Sequence, residues 1–295
     1  MSLKQFANSV SRILANPHID TRQGIIRHLQ WQGRKVFNLF PMEQRISRSR
    51  IIAFHRHCGV SALINSQGLY DYNNMSLIRD LLRDGGVFVD IGANIGSYTL
   101  IGSESALASV HAFEPHPTTF QFLRKNIELN KRSNVSLYNM ALGSSEGEVF
   151  LTDRTGSSIN HIVSENKQAV GTIAVPCHRM DNICRKVGIV PEIVKIDVEG
   201  FEYDVLLGFG DRVSSIHVLL IEMNGLSDKR SHGQKEIHSL LTSKGLIGPW
   251  MCQFDQRRLH FSQCENGEDS LYISKSFYEF NGPRKGFIFG NMPSL

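Results

Sequence analysis

The chain has 295 residues, 41% of them hydrophobic, which suits one sizeable α/β domain with additions or two small domains. Its formal net charge is +4 and its isoelectric point lies near 8.8, a mild basicity that does not amount to a nucleic-acid footprint. Five cysteines without C-x-x-C spacing exclude a disulfide framework or a zinc cluster, and no apolar run is long enough to span a bilayer.

The first segment carries Phe6, Val10, Ile13 and Leu14, then Ile25, Ile26 and Leu29, at helical spacing broken by Asn16-Pro17. This predicts short helices up to about Leu39. Met1 to Phe6 lacks the apolar core of a secretory signal, so a cytoplasmic protein is expected. Arg45, Arg48, Arg50 and Arg56 gather next and read as a solvated helical face, with an acidic partner or a membrane surface as the alternative. Residues 51–68 fit strand and helix equally. Met75 to Leu82 reads as a helix that Asp84-Gly85-Gly86 ends.

From Val87 the pattern alternates as in α/β folds. Strands are predicted at 87–91 and 109–114, then a helix at 117–129 opened by Pro117, then a strand at 135–140. An extra strand pair follows at 147–152 and 172–177, with the polar loop Gly156 to His161 between. A buried parallel strand at 193–197, a helix at 201–207, an apolar strand at 216–222, a helix at 234–241 and a late strand at 271–274 complete the series. Phe277, Tyr278, Phe280, Phe287 and Phe289 form an aromatic tail that could close the core, cover a substrate or meet another subunit as a homodimer.

The chemistry concentrates at strand ends. Val87-Phe88-Val89-Asp90-Ile91-Gly92-Ala93-Asn94-Ile95-Gly96 is an apolar strand ending in an acid and a glycine turn. Gly92 and Gly96 let backbone approach a ligand closely. The second strand ends in Glu114, a carboxylate able to accept two ribose hydroxyls. A dinucleotide site would want G-x-G-x-x-G, and the middle glycine is missing. S-adenosylmethionine has no phosphate but carries a sulfonium, an amino acid end and a ribose diol, which this inventory of acids fits. A glycine turn that merely packs a helix on a sheet is the simpler alternative.

Asp90 to Gly96 resembles motif I of class I S-adenosylmethionine-dependent methyltransferases. More narrowly, the chain resembles the FkbM family, through Phe113-Glu114-Pro115-His116-Pro117, Asn139-Met140-Ala141-Leu142-Gly143 and Val194 to Glu202, while Met180-Asp181-Asn182-Ile183 stands where that family has a Leu-Asp-Asp-Leu-like helix start. The likeness runs from about Leu82 to Asn224. It implies a Rossmann-like α/β fold with a mostly parallel seven-stranded sheet and helices on both faces. The expected layout is a helical N-terminal extension at 1–80, the methyltransferase domain at 81–280 and a tail at 281–295. The resemblance puts adenine beside Asn139, Met140 and Ala141.

Asp90, Gly92, Asn94, Gly96, Glu114, Ala141 and Asp197 are therefore the expected cofactor residues. Asp197 is the leading catalytic candidate, because a carboxylate beside the sulfonium could take the proton of an acceptor hydroxyl. Its alternative is a helix cap or a cofactor contact. Glu199 comes next: with Asp197, Glu222 and Asn224 it could form an oxygen-rich magnesium site, but pairing of the glutamates with Lys195 or Arg179 is favoured over a metal. Of the histidines, His116 and His178 lie in well-placed loops, and His161 interests most because its loop could fold over a substrate.

The expected activity is O-methylation of a hydroxyl on a sugar, a glycan precursor or another small metabolite. RNA ribose 2'-O-methylation is an alternative, since Lys195, Asp197 and Glu222 faintly match a Lys-Asp-Lys-Glu set, but no RNA-binding module supports a nucleic-acid partner. A non-catalytic S-adenosylmethionine-binding protein is the third reading.

Overall fold

The computed structural model describes residues 3–153, 160–163, 170–223, 233–255, 258–263, 269–281 and 287–289. Two helices come first, α1 (Leu3–Ala15) and α2 (Thr21–Val36). Asp20 starts α2 by accepting the Gln23 N–H at 3.1 Å, which satisfies one of the donors a helix start leaves open. Where a basic helical face was expected, the chain instead forms a hairpin, β1 (Met42–Ile46) against β2 (Ser49–Ala53), in register Ile46 to Ser49. Ile46 and Ile51 go inward, while Arg50 stays exposed and pairs with Glu43 across the strands. The alternation was too short to outvote the charges. The ambiguous stretch after it holds both structures, since β2 is followed by α3 (Gly59–Gln67); then comes α4 (Tyr72–Leu81).

The α/β series then runs β3 (Gly86–Ile91), α5 (Ser97–Gly102), β4 (Ala108–Phe113), α6 (Pro117–Leu129) and β5 (Val135–Tyr138). A small sheet follows from β6 (Ala141–Leu142), β7 (Gly147–Thr152) and β8 (Thr172–His178), ordered β6-β8-β7. Next are α7 (Met180–Val187), β9 (Ile193–Ile196), α8 (Glu202–Phe209), β10 (Val218–Glu222) and α9 (Gln234–Ser243). The chain closes with β11 (Leu246–Asp255), β12 (Arg258–Gln263), β13 (Asp269–Ser274), α10 (Lys275–Asn281) and β14 (Phe287–Phe289).

The main sheet is ordered β14-β12-β11-β13-β10-β9-β3-β4-β5. From β5 to β11 it is the seven-stranded, mostly parallel sheet that the family resemblance implies. Only β13 runs against its neighbours there. The strands β12 and β14 extend it by two, a pairing that sequence periodicity missed because Gly248-Pro249 breaks β11 near its start.

Period-two alternation sends the strand side chains into two cores. Phe88, Val110, Ala112 and Leu220 pack on one face with α4, α5 and α6. Val89, Ile91, Phe113, Val194 and Ile196 pack on the other with α7, α8 and α9. Each fully buried Val, Leu, Ile or Phe among them contributes roughly 1.5–3 kcal/mol. Phe277 closes the first core, which settles one role of the aromatic tail; the side chains of Phe280, Phe287 and Phe289 lie outside the described set.

The helix α6 ties the hairpin to the sheet. Asn126 Oδ1 accepts the Ile52 N–H and its Nδ2 donates to the Ile95 carbonyl, both at 2.8 Å. Among the described residues, no helix is long and apolar enough to cross a membrane. Cys58, Cys177, Cys184 and Cys252 are buried free thiols.

Candidate active site

The carboxyl ends of β4, β3, β9 and β10 meet in a cleft of about 250 Å³. In open α/β sheets this edge is where ligands bind. Gly92, Asn94, Glu114, Ala141, Asp197 and Glu199 all line it, as does Glu222.

The glycine turn is shaped by contact with its neighbours. Gly92 has φ +77°, and a Cβ there would stand 1.8 Å from the Asp197 carbonyl oxygen. Only glycine leaves room for these two turns to touch. Asn94 is also left-handed, with φ 51°. Its N–H donates to Glu114 Oε2 at 2.9 Å, and the His116 N–H donates to Oε1 at 2.9 Å. Two backbone donors thus fix the Glu114 carboxyl, and each oxygen keeps a further lone pair for a ligand. Burial nevertheless pushes Glu114 up to about 7.

Two expected cofactor residues do not reach the cleft. Gly96 starts α5 with φ +92°, and a Cβ there would meet Leu123 at 2.5 Å, so its glycine serves packing. Asp90 is fully buried beneath the turn. Its register partner on the neighbouring strand is Lys195, and Thr99 Oγ1 donates to its Oδ2 at 2.6 Å, while Oδ1 has no hydrogen-bond partner among the described residues. The strand-end acid acts on Lys195 through its charge.

Lys195 organises the catalytic candidates. Its ammonium lies 2.9 Å from Asp197 Oδ2 and 5.0 Å from the Tyr98 ring centre. Burial would lower its pKa, but the charges of Asp197 and Asp90 together raise it, so it stays a cation. Burial pulls Asp197 upward, while Lys195 and a hydrogen bond with Glu222 hold it below the ordinary value. Glu222 takes the opposite path: burial and the adjoining Asp197 push it up to about 9. One proton is thus shared across the Asp197–Glu222 pair at neutral pH, with Asp197 the charged member.

Glu199 lines the cleft from a left-handed backbone position, φ 54°. The expected glutamate pairings are replaced: Lys195 meets Asp197, and Arg179 makes its ion pair with Asp181. Among the described residues no group of three or more His, Cys, Asp and Glu is placed to hold a metal. Asn224, the fourth member considered for magnesium, lies outside the described residues, as do Gly156, Ser157 and Ser158.

The histidines separate. Asn160 and Ile162 line the cleft, whereas His161 does not, because neighbours along an extended segment point to opposite sides. His161 Nδ1 is buried without a hydrogen-bond partner among the described residues. His178 faces Glu146 on the surface, away from the cleft. His116 does line it, but its Nδ1 accepts the Thr119 N–H and its Nε2 meets Asp153 Oδ1 at 3.2 Å, so both nitrogens are engaged. Asn139 is engaged too: its Nδ2 donates to the Glu114 and Pro115 carbonyls at 2.9 and 3.0 Å. The far end of the cleft is walled by Met140, Ala141 and Leu142 instead.

Val60 and Tyr70 complete the lining from the region before the sheet. Sequence reasoning passed over both. Neither stands at a strand end nor in a motif, and only the packing of α3 and α4 brings them there.

A family model for the methyltransferase FkbM domain matches residues 90–247. Hexuronic acid methyltransferase AglP of Haloferax volcanii is 30% identical over 157 residues, covering 52% of this chain and 62% of that protein. Methyltransferase 1 of Beauveria bassiana is 30% identical over 149 residues, covering 43% and 60%. The chain thus aligns with about three-fifths of the length of these curated relatives. Among solved structures, an S-adenosylmethionine-dependent methyltransferase from Agrobacterium tumefaciens gives a TM-score of 0.43 at 8% identity, over 79% of this chain and 69% of that one. M. jannaschii TYW2, solved in complex with S-adenosylmethionine, gives 0.39 at 15% identity, over 79% and 86%. With more than half its length matched by the family model and the four strand ends converging on one cleft, the chain belongs to the FkbM methyltransferase family.

Proposed function

We propose that the cleft binds S-adenosylmethionine and that the protein transfers its methyl group to a hydroxyl of a sugar or glycan precursor. The observation that carries this reading is the Gly92 turn pressed against Asp197, with Glu114 clamped beside it. Glu114 would accept the ribose hydroxyls, the bare Gly92 backbone would let the amino acid chain pass, and Met140 to Leu142 would flank the adenine.

When bound, S-adenosylmethionine supplies an electrophilic methyl on a sulfonium. The protein must then place an acceptor oxygen on the axis of displacement and receive its proton. Asp197 is charged and lines the cleft, so it can accept a hydrogen bond from the acceptor hydroxyl. Lys195 makes it a weak base. A weak base suffices, because a hydroxyl becomes strongly acidic as its oxygen takes the methyl. Glu222, holding the shared proton, keeps Asp197 oriented. Magnesium fits this donor set poorly, since the Lys195 ammonium, 2.9 Å from Asp197, already stands where a cation would meet that carboxylate.

The lining favours a neutral acceptor. Glu114, Asp197, Glu199 and Glu222 line the cleft, and among the described lining residues there is no Lys or Arg. An RNA ribose is the second reading, because Lys195, Asp197 and Glu222 do come together, but a net charge of +4 does not amount to a nucleic-acid footprint. RNA binding that falls steeply with salt would favour it.

Calorimetric titration with S-adenosylmethionine, S-adenosylhomocysteine and NAD tests the core of the reading. Binding of both sulfur nucleosides but not NAD is expected, with methyl transfer then followed on neutral methyl glycosides. Failure of both sulfur nucleosides to bind would overturn it.

A further inference from the structure

Resting on that cofactor reading, we infer that the Tyr70 hydroxyl, supplied from outside the family-matched segment, donates to the α-carboxylate of the bound cofactor. The cleft crosses the sheet edge in a fixed order: Met140 to Leu142 beyond β5, Glu114 after β4, Gly92 and Asn94 after β3, Asp197 after β9. With the ribose on Glu114, the amino acid end lies over the end of β3 and toward β9. That end is a zwitterion. Glu199 can receive its ammonium group, and carboxylates cannot receive its carboxylate.

A donor is therefore needed, and the glycine turn cannot readily be it. Its five backbone amides already donate inside the protein. Those of Gly92 and Ala93 go to the Phe113 carbonyl, and that of Asn94 to Glu114. Those of Ile95 and Gly96 go to Asn94 Oδ1 and to the Ala93 carbonyl. Tyr70 stands at this place. It lines the cleft, and its hydroxyl is 3.0 Å from Ser97 Oγ, at the first residue of α5. Ser97 can accept or donate in that pair, so the tyrosyl proton is free to turn to a ligand while the serine fixes its oxygen.

The turn that carries Tyr70 is held firmly. Asp71, next in sequence, accepts from the Tyr98 hydroxyl and from Asn74 Nδ2. The Tyr98 ring in turn faces Lys195. Lys195 acts on Tyr70 through its charge, and Asp71 and Asp197 act there in the opposite sense.

The test compares S-adenosylmethionine with decarboxylated S-adenosylmethionine, which differs only by the carboxylate, and uses 5'-methylthioadenosine as a control without the amino acid end. The native protein should prefer the carboxylate-bearing ligand. Tyr70→Phe keeps the ring and should shrink that preference by roughly tenfold or more, the size of a hydrogen bond to a charged group. Affinity for 5'-methylthioadenosine should stay within about twofold of the native protein. An unchanged preference in Tyr70→Phe would overturn the assignment, as would a native protein that binds both ligands equally. A native protein that binds none of the three would overturn the cofactor reading instead, and this assignment with it.

Discussion

Lys195 Nζ lies 2.9 Å from Asp197 Oδ2, so the acid just past β9 is neutralised by a residue two positions earlier in the chain. This keeps Asp197 charged and oriented without a metal. Asp197→Asn preserves its shape and most hydrogen bonds but removes the proton acceptor. Methyl transfer should fall by about 10²–10⁴-fold, the usual weight of positioned acid–base catalysis. Binding of S-adenosylhomocysteine should weaken by less than about tenfold, or 1.4 kcal/mol. Single-turnover kinetics beside calorimetry separates the two, and unchanged turnover would remove Asp197 from the chemistry.

Glu222 gives a pH signature. Its folded pKa of about 9 lies above the ordinary 4.5, so the folded protein holds this proton longer than the unfolded chain. The stability it contributes is fully present below about 4.5 and is lost as pH rises toward 9. Glu222→Gln keeps a neutral donor facing Asp197. The variant should therefore gain on the native protein as pH climbs through that window. Melting curves taken at intervals across it give the answer, and a constant gap between the two proteins would mean that the pair shares no proton.

Glu114 should make cofactor affinity depend on pH. The charged carboxylate is the better acceptor of two ribose hydroxyls, and burial raises its pKa to about 7. Affinity for S-adenosylhomocysteine should fall as pH drops below that point, by up to about tenfold per unit. Glu114→Gln should bind more weakly at pH above 7 and show a flatter profile. A native affinity that is level through acid pH would count against the ribose contact.

Gly92→Ala should be damaging out of proportion to its size. The added methyl meets the Asp197 carbonyl at 1.8 Å, and φ +77° strains any side chain. Backbone strain alone costs roughly 1–2 kcal/mol, and the clash adds to it. Thermal melting should fall by several degrees and S-adenosylhomocysteine binding should be lost. Near-native melting and binding would show that the two turns separate easily.

Much of this was legible in the chain because α/β order writes itself into sequence. Pro117 marks the start of α6, and the strand pair at 147–152 and 172–178 shows its alternation openly. The strand-end rule also found Gly92, Glu114 and Asp197, since chain order alone places them on one edge. It could not tell that Asp90 faces inward, because that depends on its register with Lys195. Nor could it tell that His161 faces away while Asn160 and Ile162 face the cleft, a matter of which parity the segment adopts. Tyr70 left no local signal at all. Its place comes from Asp71, Tyr98 and Ser97, which meet only after α4 and α5 have packed.

Asn126 grips the hairpin with one end of its amide and the glycine turn with the other. Such a link is reciprocal. A ligand that ordered the turn at Ile95 would, through Asn126, also favour the hairpin at Ile52, and fraying of β2 would weaken that ligand by the same free energy. No described residue of the hairpin lines the cleft, yet Asn126 ties it to the turn that does.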